Sequence, residues 1–268
     1  MKVLIKGAGD LASGVAYCLY HAGFSIVMTE IEQPTMVRCS VSFGQAVYEK
    51  KVEIEGVQAV LVKNADQATK ELAKSHIPII IDPDTTILHQ MEFDVVVDAI
   101  LAKHNINTKI DDAPIVIALG PGFRAGVDAD AVIETMRGHY LGSVIYEGEA
   151  IPNTGVPGEV GGKSIERLLR ASSDGKFFAE RKIGDFVHQG DVMAYCGDAP
   201  VYASIDGYLR GLLTDGLPVF KGMKIGDIDP RCEQRHCFTF SDKARSLGNA
   251  TLLAIIHLSR EKGLPFVL

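Results

Sequence analysis

Apolar residues in the first half of the chain occur in short, nearly continuous runs. Such runs are typical of buried strands in a parallel sheet, because both faces of these strands are covered. The runs are Val3–Ile5, Ser25–Glu30, Val57–Val62, Pro78–Asp84, Asp94–Ile100 and Pro114–Gly122. A helical pattern follows the first run, and another lies between the third and the fourth. The first half is therefore predicted to be an α/β, Rossmann-like domain with a parallel sheet.

A glycine-rich turn, KGAGDLASG, joins the first predicted strand to the first predicted helix. Gly7, Gly9 and Ala12 match the G-x-G-x-x-G/A pattern, in which the glycines make the turn and let a pyrophosphate approach the backbone. Asp10 and Leu11 lie within the pattern and complete this part of the predicted cofactor-binding set. The Asp10 carboxylate would repel a diphosphate, or cap the helix while the site is empty. Two interpretations stay open, a nucleotide site and a purely structural turn.

Further predicted cofactor-binding residues lie where other strands end. Glu30 follows Gly9 by 21 residues, at the end of the second apolar run, where a carboxylate can accept hydrogen bonds from a ribose. Asp98, Gly120 and Gly122 lie at the ends of later runs, and ligands of parallel sheets bind beyond the carboxyl ends of the strands. The predicted cofactor is NAD or another nucleotide-containing molecule. The alternative for Asp98 is that it merely ends its strand.

A repeat occupies much of the second half of the chain. Residues 171–193 align with residues 203–225 without a gap, at an offset of 32, and both copies carry Asp-Gly and G-x-x-V-x-x-G. Two such halves resemble the barrel-sandwich hybrid fold of biotinyl and lipoyl domains. Those domains carry a modified lysine between their halves, whereas residues 194–202 contain no lysine. Neither a lipoyl nor a biotinyl lysine is therefore expected.

These patterns divide the chain into four segments. They are a Rossmann-like nucleotide-binding domain (1–127), a β-rich connecting segment (128–170), a barrel-sandwich hybrid domain (171–230) and a C-terminal helix that packs on the body (231–268). The length of 268 residues is compatible with more than one domain.

Charge and cysteine usage exclude several classes of function. A net charge of −7 disfavours binding to nucleic acid, which normally requires a basic face. No apolar run is long enough to span a membrane, and the first residues lack the pattern of a secretion signal, so a cytoplasmic location is expected. The five cysteines do not form a disulfide framework. Cys232, His236 and Cys237 offer three soft ligands, but structural zinc normally takes four, and no metal site is predicted.

Several linked motifs together resemble the YqeB family of selenium-dependent molybdenum hydroxylase accessory proteins. The motifs extend over essentially the whole chain and are IKGAGDLASGVA, FGQAVYEKKVEIEGVQA, VVVDAILAKHN, IALGPGFRAGVD, VIETMRGHYLG, NTGVPG and GDIDPR. The resemblance implies a cytoplasmic factor that helps to mature a molybdenum hydroxylase. Its implied partners are the hydroxylase or other maturation proteins, and a homo-oligomer is compatible with this role.

Three functions are compatible with these observations. The first is a maturation factor that binds a nucleotide-containing cofactor at the glycine loop. The second is an NAD-dependent oxidoreductase acting on a small substrate, with His139 or Lys103 as the candidate proton donor. The third is a non-catalytic scaffold that docks a hydroxylase subunit. Whether the protein is an enzyme stays open at this point.

Overall fold

The computed structural model describes residues 1–156 and 158–265, so Pro157 and the last three residues of the predicted C-terminal segment lie outside the described residues. The chain forms two compact units. Unit 1 contains residues 1–34, 43–154 and 241–268, and unit 2 contains residues 35–42 and 155–240. None of the described helices is both long enough and apolar enough to cross a membrane.

Unit 1 is built on a nine-stranded sheet. Its strands and those of a small accessory sheet are β1 Lys2–Lys6, β2 Ser25–Glu30, β3 Lys51–Ile54, β4 Val57–Val62, β5 Ile77–Ile81, β6 Val95–Asp98, β7 Ile115–Leu119, β8 Arg124–Ala125, β9 Ala131–Ile133, β10 Val144–Ile145 and β11 Gly148–Glu149. The order across the large sheet is β10-β9-β7-β6-β1-β2-β5-β4-β3. The inner strands pair in parallel, whereas β3 and β10 run antiparallel at the two edges. β8 and β11 form the accessory sheet.

Helices cover only some of the connections in unit 1. α1 (Asp10–His21) links β1 to β2, α2 (Ala46–Glu49) is a single turn, and α3 (Ala65–Leu72) links β4 to β5. α4 (Asp242–Glu261) follows the last strand of unit 2 and returns to unit 1. Its first turn is capped by Ser241, whose hydroxyl accepts the N–H of Ala244. The 16-residue connection between β6 and β7 contains no described helix.

Unit 2 consists of two four-stranded antiparallel sheets. Its strands are β12 Leu168–Arg170, β13 Gly175–Ala179, β14 Phe186–Val187, β15 Val192–Cys196, β16 Ala199–Tyr202, β17 Gly207–Leu212, β18 Pro218–Val219 and β19 Lys224–Asp229. The sheet orders are β12-β19-β17-β14 and β16-β15-β13-β18. β13, β14 and β15 each begin 32 residues before β17, β18 and β19, so the sequence repeat is also a repeat of strands.

Reciprocal hydrogen bonds join the two copies of the repeat. Asp174 accepts the N–H of Lys221, and Asp206 accepts the N–H of Gln189, each at 2.7 Å. Because 174 and 206, like 189 and 221, differ by 32, each copy caps a turn of the other. This exchange explains why the Asp-Gly pairs recur in register.

A buried network of charges lies within unit 2, on the GDIDPR segment of β19. Asp227 is 2% exposed and accepts from Arg210 at 2.9 Å and Arg167 at 3.1 Å. Asp229 is fully buried and accepts from Arg231 at 2.6 Å and from Arg210 at 3.2 Å. Although burial opposes ionisation, hydrogen bonds from Arg231 and the charges of the arginines lower the pKa of Asp229 from 3.8 to about 2.

The predicted fold class, a Rossmann-like parallel sheet domain with a barrel-sandwich hybrid domain, is wrong. The sheet of unit 1 is mixed, with an antiparallel strand at each edge, and helices do not alternate with its strands throughout. Unit 2 is an arrangement of two antiparallel sheets that also includes β12, from outside the repeat. The apolar runs indicate which segments are buried strands, but they do not mark the edge strands. β3 alternates polar and apolar residues and pairs antiparallel with β4 across the two-residue turn Glu55-Gly56, and β10 pairs with the preceding strand, β9.

Candidate functional site

The glycine loop lies at the carboxyl edge of the parallel strands in unit 1. Gly7, which follows β1, has φ +88°, a conformation that side chains other than glycine rarely adopt. A Cβ at this position would lie 3.1 Å from the Ala99 carbonyl oxygen and from Ile100 Cα, in the segment after β6. Glycine is therefore required here by both the turn and the close approach of a neighbouring backbone.

The second glycine of the loop has free space around it. Gly9 is the N-cap of α1, with extended backbone at φ −68° and ψ −179°, and an added Cβ would meet no atom within 4 Å. The first N–H groups of a helix have no acceptor within the helix and carry a partial positive charge. Asp10 and Leu11 begin the helix half-buried, and Ala12 is 1% exposed. The loop thus combines backbone donors with open space at Gly9.

Glu30 folds back onto the glycine loop. Its Oε2 accepts the N–H of Ala8 at 2.9 Å, and its Oε1 accepts the N–H of Ile31 at 2.8 Å. Burial raises the pKa of Glu30, while the two backbone donors act in the opposite direction. Each carboxylate oxygen can accept more than one hydrogen bond, so these contacts leave acceptor capacity for a ligand hydroxyl.

The loop is held in place by the segment after residue 42. The Ala8 carbonyl accepts the N–H of Gly44 at 2.8 Å and the Ser13 hydroxyl at 3.2 Å. Ser13 in turn accepts the N–H of Phe43 at 2.7 Å. A Cβ at Gly44 would lie 2.9 Å from the Ala8 oxygen, which explains why glycine occupies this position. The backbone N–H and the carbonyl of Ala8 therefore both have hydrogen-bond partners within the protein, and these bonds hold the loop in its conformation.

Asp98 forms a buried polar cluster with a lysine from β1. The Lys6 side chain is almost fully buried, and its Nζ donates to Asn107 Oδ1 and Thr108 Oγ1 at 2.5 Å each. Asp98 Oδ2 accepts from Thr108 Oγ1 at 2.6 Å and lies 4.0 Å from Lys6 Nζ. Burial lowers the pKa of Lys6, and the charge of Asp98 opposes this shift. The cluster ties the connection after β6 to the strand that precedes the glycine loop.

Gly120 and Gly122 make a second tight turn, after β7. Their φ angles are +81° and +105°, and a Cβ at Gly122 would lie 2.6 Å from the His104 backbone. The connection that contains Lys103 therefore packs directly on this turn. Lys103 itself is exposed, with φ +68°. His139 is also exposed, and its ring lies 5.0 Å from that of Tyr140.

The structure thus brings together some of the predicted residues. Glu30 accepts a hydrogen bond from the N–H of Ala8, the residue that follows Gly7. Gly7 also packs against the backbone of the segment that follows Asp98. Gly122 packs against the backbone of the segment that contains Lys103. The ring contact of His139 is with Tyr140, its neighbour in sequence. Within the described residues, no group of three or more His, Cys, Asp or Glu side chains could hold a metal ion.

Sequence reasoning missed a set of charged residues near the start of α1. Lys243, in the first turn of α4, is half-buried, and burial lowers its pKa. The charges of Asp10, Glu134 and Asp242 oppose this shift, and that of Arg137 adds to it. Arg137 makes a bidentate contact with Asp242 at 2.6 and 2.7 Å. Only the tertiary packing of α4 shows this set, whereas Lys6 could have been noticed as a lysine within an apolar strand.

Comparisons with solved structures give only remote similarities. An aspartoacylase family protein from Mesorhizobium loti is 11% identical, with a TM-score of 0.27, and 85% of this chain and 84% of that chain are covered. A succinylglutamate desuccinylase/aspartoacylase from Rhodobacter sphaeroides is 13% identical, with a TM-score of 0.28 and the same coverage. These scores support no conclusion about function. No protein-family model matches the chain.

A relative by sequence is much more similar. The chain is 49% identical over 259 residues to the uncharacterized protein YqeB of Escherichia coli K12. The match covers 97% of this chain and 48% of YqeB, so the chain spans about half the length of this relative. This match supports the resemblance to the YqeB family that the sequence motifs indicate. The chain is a homologue of YqeB along nearly all of its own length.

Proposed function

We propose that unit 1 binds a nucleotide-containing ligand at the glycine loop. The observation that carries this proposal is the open space at Gly9, beside the N-terminus of a twelve-residue helix and at the carboxyl edge of parallel strands. The ligand phosphate would be bound by the first backbone N–H groups of α1. Glu30, at the end of β2, has acceptor capacity for a sugar hydroxyl.

The rigidity of the loop supports binding of this kind. Ala8 is held through its N–H by Glu30 and through its carbonyl by Gly44 and Ser13. Because the loop is already ordered, a ligand would not have to meet the entropic cost of ordering it. NAD, FAD and molybdopterin dinucleotides share the phosphate and sugar that such a site would recognise.

Thermal unfolding with and without these ligands tests the proposal. A ligand that binds only the folded state stabilises it by about 2.7 kcal/mol at 100 times its Kd, so the Tm is expected to rise. In the Gly9→Val variant the side chain would occupy the open space and the rise is expected to disappear. No rise in the wild-type Tm with any of the three ligands would refute the proposal.

The matched control is the unliganded Gly9→Val protein. Its backbone at residue 9 is extended, which valine adopts readily, and no atom lies within 4 Å of the added Cβ. Its Tm without ligand is therefore expected to stay within about 2–4 °C of the wild type, equivalent to about 1 kcal/mol. A loss of the ligand effect at unchanged basal stability would assign that effect to the site.

The wider role that we propose is maturation of a selenium-dependent molybdenum hydroxylase. It rests on the linked sequence motifs that resemble the family of selenium-dependent molybdenum hydroxylase accessory proteins. In cells that lack this protein, hydroxylase activity should be lost while the hydroxylase polypeptide is still made. Wild-type protein should restore the activity, and Gly9→Val should not. Full hydroxylase activity in the absence of the protein would contradict this role.

A further inference from the structure

Residues 35–42 form a segment of unit 2, although the chain on both sides of it belongs to unit 1. Backbone and side-chain hydrogen bonds anchor this segment within unit 2. The Val37 carbonyl accepts the N–H of Leu212, in β17, at 2.6 Å. The Ser40 hydroxyl donates to the carbonyl of Cys237, after β19, at 2.5 Å. The segment is therefore tied to two separate parts of unit 2.

The segment is also held along its own length, up to its last residue. Arg38 is 5% exposed, and its Nη2 donates to the His236 carbonyl at 2.8 Å. Ser42 is fully buried, and its hydroxyl donates to the Arg38 carbonyl at 2.8 Å. These bonds fix the conformation of the chain as far as residue 42.

The next two residues, Phe43 and Gly44, bond to the glycine loop within unit 1. The N–H of Phe43 donates to the Ser13 hydroxyl at 2.7 Å, and the N–H of Gly44 donates to the Ala8 carbonyl at 2.8 Å. Phe43 and Ser13 are both fully buried, so an N–H that lost this bond would be left without an acceptor. The conformation of the loop therefore depends on the position of residues 43 and 44.

One peptide bond separates the two sets of contacts. Ser42 is the last residue of the segment in unit 2, and Phe43 is already bonded to the loop. Each residue has only two soft backbone dihedrals, so a step of one residue offers little freedom to absorb a displacement. A movement of residues 35–42 would accordingly be passed on to residues 43 and 44.

We propose that residues 35–44 form a strap that couples the order of the glycine loop to the anchoring of residues 35–42 in unit 2. A partner that displaced residues 35–42 from their bonds in unit 2 would thereby loosen the loop around Ala8. The coupling requires no bound ligand. It is therefore tested separately from the proposed function and does not depend on it.

Hydrogen exchange of three backbone amides in the full-length protein tests this inference. The amides are those of Ala8, Phe43 and Gly44, whose bonds define the loop end of the strap. Ser40→Ala removes an anchor at the other end, in unit 2. All three amides are expected to exchange about two- to tenfold faster, in keeping with the loss of one ordinary hydrogen bond.

The matched control is Ser173→Ala. Ser173 is also a half-buried serine of unit 2, and its hydroxyl donates to the carbonyl of Cys196 at 2.6 Å. This variant should leave the three amides unchanged, whereas Ser13→Ala, which breaks the strap at the loop, should speed their exchange. Unchanged exchange in Ser40→Ala, an equal increase in Ser173→Ala, or an increase spread uniformly over unit 1 would each overturn the inference.

Discussion

Replacing Gly14 by alanine is expected to destabilise the protein, although alanine is the better helix former. Gly14 lies in the interior of α1, where exchange of glycine for alanine ordinarily stabilises by about 1 kcal/mol. The new Cβ would lie 2.5 Å from Ala244 Cβ and 3.0 Å from the Ala244 carbonyl carbon. These distances are shorter than those of ordinary van der Waals contacts, so α4 would have to move away from α1.

The size of the effect follows from these two opposing contributions. Inserting a methyl group into a closely packed contact costs about 1–3 kcal/mol. The upper part of this range applies, because one of the close contacts is with backbone rather than with a flexible side chain. After subtraction of the helix-propensity gain, the net loss is about 1–2 kcal/mol, or a fall in Tm of about 2–8 °C.

The assay is thermal unfolding of Gly14→Ala, Ala244→Gly and the double variant. Ala244→Gly alone should destabilise α4 through its lower helix propensity. In the Gly14→Ala background it should cost less, because it removes the clashing methyl group, with a coupling energy of about 1 kcal/mol. An increase in Tm for Gly14→Ala, with additive effects in the double variant, would refute the close packing of α4 on α1.

Three further predictions concern buried ionisable groups. Lys6→Met should lower the free energy of unfolding, measured by urea denaturation, by about 3–5 kcal/mol, because Asp98 would stay buried without its cation. Adding Asp98→Asn should recover part of this loss. A loss below about 1 kcal/mol for Lys6→Met would contradict the prediction. The pKa of Asp229 is lowered to about 2 in the folded state, so its ionised form contributes about 2 kcal/mol to the stability above pH 3.8, and this contribution is lost as the pH falls through 2. In Asp229→Asn, acid unfolding monitored by circular dichroism should therefore depend less on pH between these two values. An unchanged curve would count against the buried network. The pKa of Glu30 is instead raised in the folded state, so its contribution to stability is present below pH 4.5 and is lost as the pH rises through the folded pKa. The Tm of the wild type should therefore rise relative to that of Glu30→Gln as the pH falls from about 8 toward 4.5. A difference in Tm between the two proteins that does not change with pH would contradict the burial of Glu30.

The parts of the fold that depend on local pattern could be predicted from the sequence. The apolar runs correspond to β1, β2, β4, β5, β6 and β7, because a strand buried on both faces must be apolar throughout. The glycine turn after β1 was also predictable, since it requires a positive φ at Gly7. The fold class was not predictable in the same way. Strands β3 and β10 lie outside the continuous apolar runs, and each pairs antiparallel with its neighbour in sequence, β3 with β4 across the turn Glu55-Gly56 and β10 with β9.

The candidate site shows the same division. The spacing of Gly9 and Glu30 in the sequence identified both residues. In the structure Gly9 is part of the glycine loop, and Glu30 is hydrogen-bonded to the loop residue Ala8. The bond from Ala8 to Glu30 could not be foreseen, because a side-chain rotamer decides whether the carboxylate faces the loop or the solvent. Lys243 follows Asp10 by 233 residues, so no local pattern could show that the packing of α4 on α1 lets their charges interact.

Hydrogen exchange of the backbone amides in the glycine loop is the most direct test of whether a nucleotide-containing ligand binds there. The measurement compares the amides of residues 9–12 in the free protein and in the protein saturated with whichever of NAD, FAD or a molybdopterin dinucleotide raises its Tm most. Binding at the loop predicts that these amides exchange more slowly with ligand, and that Gly9→Val shows no such slowing under the same conditions. Unchanged exchange at residues 9–12, with slowing confined to another part of the chain, would contradict the claim.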